Sequence, residues 1–124
     1  MFHRQLSESG YTNDGIHAFY RGERIDSMIA MACEDLGCGY ARDPFRVYFA
    51  GHIIDGANSH SFQALKDGYA KDAFHVYYQG EKMPGLMVAT FVALGNGYAK
   101  DVSTIYYYGR KTESTNALMF QNIY

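Results

Sequence analysis

The amino-acid sequence predicts a mainly β protein. It is built from four tandem 29-residue units of short strands and hairpins, stacked into one domain over residues 1–124, with short helical turns between units. Three observations carry this expectation. Gly-Tyr recurs at Gly10-Tyr11, Gly39-Tyr40, Gly68-Tyr69 and Gly97-Tyr98, always 29 residues apart. An aromatic pair keeps that register as Phe19-Tyr20, Tyr48-Phe49, Tyr77-Tyr78 and Tyr106-Tyr107, with Gly22, Gly51, Gly80 and Gly109 two residues on. A chain of 124 residues, 48% of them hydrophobic, suits one domain with its own core and is not the composition of a disordered chain. The units are residues 10–38, 39–67, 68–96 and 97–124.

The third unit serves as the template. Val76-Tyr77-Tyr78 has the β-branched and aromatic composition of a short strand. Gln79-Gly80 supplies a turn, and Glu81-Lys82-Met83 pairs back to close a hairpin. Asp72 stands four residues before Val76, where a short carboxylate bonds backbone N–H groups just ahead of it and starts the preceding turn. Asp14, Asp43 and Asp101 occupy the same place in the other units. Phe91 through Leu94 to Tyr98-Ala99 reads as one further strand, interrupted by a bulge or bend at Gly95-Asn96-Gly97. Each unit thus holds about three strands. Val76 and Tyr78 point to one side and Tyr77 to the other, so both faces are expected to be covered. Cys33, Phe62, Phe91 and Phe120 share a column, as do Leu36, Leu65, Leu94 and Ile123. In the first unit, residues 27–36 are rich in helix formers and are expected to give a helical turn or two that caps the array.

The run Gly68-Tyr69-Ala70-Lys71-Asp72, followed by Val76-Tyr77-Tyr78 and Gly80, returns as Gly97-Tyr98-Ala99-Lys100-Asp101 with Ile105-Tyr106-Tyr107, and as Gly39-Tyr40-Ala41-Arg42-Asp43 with Val47-Tyr48-Phe49. This pattern resembles the bacterial DKNYY family of tandem repeats. The resemblance covers residues 39–124 well and the first unit weakly, through Thr12-Asn13-Asp14 and Ala18-Phe19-Tyr20. It implies a repeat fold and carries over no activity and no catalytic residue.

No chemistry is legible in the sequence. His3, His17, His52, His60 and His75 lie on no zinc-ligand spacing. His17 and His75 share a solvent-facing column with Arg46 and Thr104. Cys33 and Cys38 fit neither a redox pair nor a zinc finger, and read as a small core residue and a turn residue. One Asp per unit, beside Lys or Arg in three of them, is a turn cap and not a calcium loop. No nucleophile–base signature occurs, and Gly95-Asn96-Gly97 lacks the strand-to-helix setting of a phosphate loop. No enzyme, cofactor or metal is therefore expected. A net charge of -2 gives no basic footprint for nucleic acid. No apolar run approaches a membrane span, the N-terminus shows no signal pattern, and two cysteines fit a reducing compartment, so a cytoplasmic location is expected.

Ten of the 12 Tyr fall in the aromatic columns and are assigned to packing. Function is then sought where the units differ: in the segment four to ten residues after each turn glycine, and in the first unit. The candidate protein-binding residues are Tyr108 and Tyr124, which break the columns, the acidic Glu23, Asp26, Glu34 and Asp35, and His52 and His60. The expectation is a non-enzymatic protein-binding module of the inhibitor kind, either toxin immunity or a phage counter-defence protein such as an anti-CRISPR. A glycan or cell-wall binding repeat is the first alternative. A module that self-associates by edge pairing to a homodimer is the second.

Overall fold

In the computed structural model, residues 4–5 and 10–112 are described, and they form four antiparallel sheets, each a four-stranded meander. The first holds β1 (Arg4–Gln5), β2 (Tyr11–Asn13), β3 (Ala18–Tyr20) and β4 (Glu23–Ile25). The second holds β5 (Glu34–Gly37), β6 (Tyr40–Arg42), β7 (Val47–Phe49) and β8 (His52–Ile53). The third holds β9 (Gln63–Ala64), β10 (Tyr69–Lys71), β11 (Val76–Tyr78) and β12 (Glu81–Met83). The fourth holds β13 (Val92–Gly95), β14 (Tyr98–Lys100), β15 (Ile105–Tyr107) and β16 (Arg110–Lys111). The mainly β fold class is as the sequence predicts.

The sheets are out of phase with the units read from the sequence. Glu34 pairs with Arg42 and Gln63 with Lys71, so each sheet after the first takes its opening strand from the preceding unit. The expected bulged strand over Phe91–Ala99 is two strands, β13 and β14, joined by a tight turn at Asn96-Gly97, with a register shift between Ala93 and Gly95. Each of the first three units therefore contributes four strands and not three, and the described part of the fourth contributes β14, β15 and β16. Residues 27–36 also differ from the expectation. They give one 3-10 turn, Ala30–Ala32, and then strand β5, and they bridge the first two sheets instead of capping the array. Val88–Thr90 makes the corresponding 3-10 turn between the third and fourth sheets.

A meander places its turns on two edges. One edge carries the turns after the outermost and the third strands, where the paired glycines sit. Arg21, Ala50, Gln79 and Tyr108 there donate their N–H to Gly10, Gly39, Gly68 and Gly97 at 2.9, 2.9, 2.9 and 2.7 Å. The other carries the aspartate turns and the crossings from sheet to sheet.

Three cores lie between successive sheets. Tyr11, Ala18, Ile25 and Met28 meet Ala41 and Tyr48 in the first. Tyr40, Val47, Ile54 and Phe62 meet Ala70 and Tyr77 in the second, and Tyr69, Val76 and Phe91 meet Ala99 and Tyr106 in the third. Phe62 sits between Tyr40 and Tyr77, with ring centroids 5.3 Å away on each side. Cys33 fills that place in the first unit, partly buried against the first core.

The Gly-Tyr tyrosine is the staple between sheets. The Tyr40 hydroxyl donates to the Gly68 carbonyl at 2.8 Å and accepts from the Gly80 N–H at 3.0 Å. Tyr11 does the same with Gly39 and Gly51, and Tyr69 with Gly97 and Gly109. The turn glycine is constrained twice at this place. Gly80 has φ +83, and a Cβ there would lie 2.7 Å from Cβ of Phe49, whose ring covers the turn. Tyr20 and Tyr78 cover Gly51 and Gly109 in the same way. Burial pushes the Tyr40 hydroxyl up to about 12, against the opposing hydrogen bond from Gly80. Burial raises Tyr11 and Tyr77 further still.

Candidate functional site

Asp14 closes its turn by accepting the Ile16 and His17 N–H groups on Oδ1, and the Asp43, Asp72 and Asp101 turns are more rigid because both carboxylate oxygens are used. Oδ1 of Asp43 accepts the N–H groups of Phe45 at 2.9 Å and Arg46 at 2.8 Å, which closes its own turn. Oδ2 accepts the N–H of Ile29, in the crossing that leaves the preceding sheet, at 3.0 Å. Asp72 repeats this with Phe74, His75 and Asn58, and Asp101 with Ser103, Thr104 and Met87. Burial alone would raise the Asp72 and Asp101 carboxyls. The converging donors outweigh it and hold both below the usual range. Hydroxyls on the crossings add a further tie. Ser61 Oγ accepts the Ala73 N–H at 2.9 Å, and Thr90 Oγ1 accepts that of Val102 at 3.1 Å.

This locking fixes the residue at each turn apex, and that residue is apolar in the first three units. Ile16, Phe45 and Phe74 are 74%, 71% and 64% exposed. Ser103 takes the place in the fourth unit, next to exposed Val102. The adjoining crossings add exposed Ile29, Met31 and Met87 on the same edge. His17, Arg46 and His75 follow the three apex residues. These exposed apolar side chains recur at one place in three successive units and so form a repeated row, unlike singly scattered surface hydrophobics. The sequence reading passed over these residues. The signal available was a Phe only two residues after the turn-forming Asp, in a loop too short to fold its ring back into the core.

The residues singled out from the sequence do not converge on one site. Tyr108 is 48% exposed at the glycine edge, edge-on to Tyr107 with centroids 4.7 Å apart. Both line a groove of about 660 Å3 with Tyr78, Gln79, Glu81 and Arg110. Glu34 pairs with Arg42 at 3.1 Å and shares a separate shallow groove with His60 and Pro44, beside the aspartate turn of the second sheet. Asp35 caps the β5–β6 turn by accepting the Gly37 N–H at 2.9 Å. Asp26 pairs with Arg24 at 2.7 Å, Glu23 is exposed on β4, and His52 is exposed on β8. Tyr124 lies outside the described residues. Of the column His17, Arg46, His75 and Thr104, Thr104 is buried and the other three are exposed or half-buried.

Among the described residues, no group of three or more His, Cys, Asp and Glu side chains could hold a metal ion. Among them, no helix is long and apolar enough to cross a membrane. What fold and surface define is a tandem-repeat scaffold, a stack of small meander sheets whose clamped turns present side chains along an edge. The chain belongs to the DKNYY family, whose model matches residues 3–110 and so includes the first unit. No curated protein and no solved structure matches it.

Proposed function

We propose that the chain is a non-enzymatic protein-binding module that engages its partner through the aspartate edge. The observation that supports this most is the row Ile16, Phe45 and Phe74, held out to solvent by aspartate turns, of which the Asp43 and Asp72 turns are also tied to the preceding sheet. Large exposed rings on rigid turns cost little ordering entropy when they bind, which is what an interface anchor requires. The proposal extends to inhibition of the partner, as in toxin immunity or counter-defence, with a cytoplasmic location. The free thiols Cys33 and Cys38 suit a reducing compartment. The test is capture from the native lysate by the wild-type chain and by Phe45→Ser/Phe74→Ser. A partner held by the first and lost by the second supports the reading. Equal capture by both refutes it.

The Tyr107–Tyr108 groove favours a second reading, glycan binding, because two exposed Tyr rings set edge to face beside Glu81 and Arg110 suit the apolar face and hydroxyls of a sugar. Calorimetric titration with cell-wall fragments separates the two, and a flat response removes this one.

A further inference from the structure

We propose that the two ends of the stack bind each other between molecules: the ring of Tyr107 in one copy seats over the turn at Gly22 of a second copy, head to tail. The contact lies on the glycine edge and is independent of the aspartate edge. Its pattern is set by the three joints inside the chain. Tyr20, Phe49 and Tyr78 are half-buried, and each lies over the turn glycine of the following sheet, at Gly51, Gly80 and Gly109. Those three glycines also donate their N–H to the staple tyrosine of the sheet before, at 3.0, 3.0 and 2.8 Å. Gly22 and Tyr107 are the members of these two columns that no such joint uses. Gly22 has the same backbone, φ +87 against +84, +83 and +81, but it is exposed, with no described atom within 4 Å of a Cβ built there. Tyr107 is 45% exposed. Its ring already holds the covering pose, packed on Tyr98 at 4.7 Å, as Tyr20, Phe49 and Tyr78 pack on Tyr11, Tyr40 and Tyr69 at 4.8, 5.0 and 4.9 Å. The first sheet of a second copy thus meets at Tyr107 the ring that every later sheet meets inside the chain.

Charge matches the two ends. Glu23, His52, Glu81 and Arg110 share the column directly after the turn glycine. Glu81 and Arg110 come from neighbouring sheets and line one groove, so members of this column meet from sheet to sheet. In the proposed joint the neighbours are Arg110 of one copy and Glu23 of the next, which are opposite in sign. Both are exposed, and neither has an ion-pair partner among the described residues. Ile105 points to the same side of its strand as Tyr107 and is buried, so the joint is confined to the glycine-edge side of the fourth sheet. A contact of so few residues is weak and reversible. It joins two different surfaces, so it does not close on a pair, and every added copy leaves both kinds of end exposed.

Sedimentation velocity of the chain from about 10 μM to about 1 mM, roughly the range of weak contacts, tests this. The mean mass should rise steadily with concentration and pass that of a pair. Tyr107→Ser, Arg110→Glu and Glu23→Arg should each weaken association at least about ten-fold, and Glu23→Arg/Arg110→Glu should restore it to within about three-fold. Urea unfolding checks that each variant is folded, and the exposed charge variants keep the test readable if Tyr107→Ser loses stability. An equimolar mixture of Tyr107→Ser and Glu23→Arg, each with the opposite end intact, should form a pair that grows no further. A chain that stays monomeric throughout, a wild type that stops at a pair, or association indifferent to these variants overturns the joint. So does a photo-cross-linker placed at Tyr107 that reacts with residues 113–124 of its own chain and not with the Gly22 turn of another, since that segment is then the occupant.

Discussion

Replacing Tyr40 by Phe should weaken the fold far more than loss of one hydroxyl usually does. Tyr40 is fully buried, and its oxygen joins two backbone groups of the next unit, donating to the Gly68 carbonyl and accepting from the Gly80 N–H. The two partners fare differently. The Gly68 carbonyl keeps the Gln79 N–H at 2.9 Å. The Gly80 N–H has the Tyr40 hydroxyl as its partner, with Phe49 packed over the turn. One hydrogen bond lost costs about 1 kcal/mol, and a buried donor left without a partner costs about 1–3 kcal/mol. The sum is about 2–4 kcal/mol, a large part of the roughly 5–15 kcal/mol typical of a whole domain. In urea, with a slope of about 1–3 kcal/mol/M, the midpoint should fall by roughly 1 M. Hydrogen exchange supplies the local readout, since protection of the Gly80 amide should vanish. Tyr107→Phe, half-exposed on the last described sheet, is the control and should stay within about 0.5 kcal/mol. A Tyr40→Phe cost below about 0.5 kcal/mol, or an unchanged Gly80 amide, would refute the staple.

Three further outcomes follow from the same geometry. Gly80→Ala should cost more than Gly85→Ala in thermal unfolding. Both have positive φ, but the added methyl meets Phe49 at Gly80 and open space at Gly85, a difference of about 1–3 kcal/mol from overpacking. Because Asp72 and Asp101 titrate below their ordinary range, their contribution is present above the unfolded carboxyl value of about 4 and is lost as pH falls through the folded value. Urea midpoints should drop from pH 5 to pH 2 (roughly the window these values set), and the slope should flatten in Asp72→Asn. In alkali the sign reverses. The raised tyrosines favour the folded chain below about pH 10, and that contribution is lost as pH rises through their folded values. Tyrosinate absorbance should therefore rise late and together with unfolding, and early ionisation of all tyrosines in a folded chain would contradict the buried staples.

The scaffold was legible because repetition exposes it. Gly10, Gly39, Gly68 and Gly97, with their tyrosines, align without insertion, and the aspartates follow. The phase of the sheets was not. Asn96-Gly97 breaks what composition presents as one strand, and only strand pairing shows that Gly95 faces Tyr98 across a turn. The second aspartate oxygen was also beyond reach, since Asn58 and Asp72 meet through the stacking of sheets and not through any local pattern. Phe45 and Phe74 were hidden by chemistry. A Phe in an aromatic-rich repeat reads as core, and it is the lock on the Asp turn that turns it outward. Among the residues marked from the sequence, Tyr108 lines a groove, while Asp35 and Asp26 are spent on a turn and an ion pair.

The most direct test of the binding reading is a capture experiment with three proteins: wild type, Phe45→Ser/Phe74→Ser, and Tyr107→Ser/Tyr108→Ser. Tyr107 and Tyr108 are half-exposed and pack on Tyr98 and on each other, so urea unfolding is measured for all three and capture is compared where each is folded, which makes differences in capture report on contact. The expected result is one partner retained by wild type and by the tyrosine variant and lost by the phenylalanine variant. Retention by the phenylalanine variant, with loss in the tyrosine variant, would move the site to the groove at the glycine edge and contradict the role given to the aspartate edge.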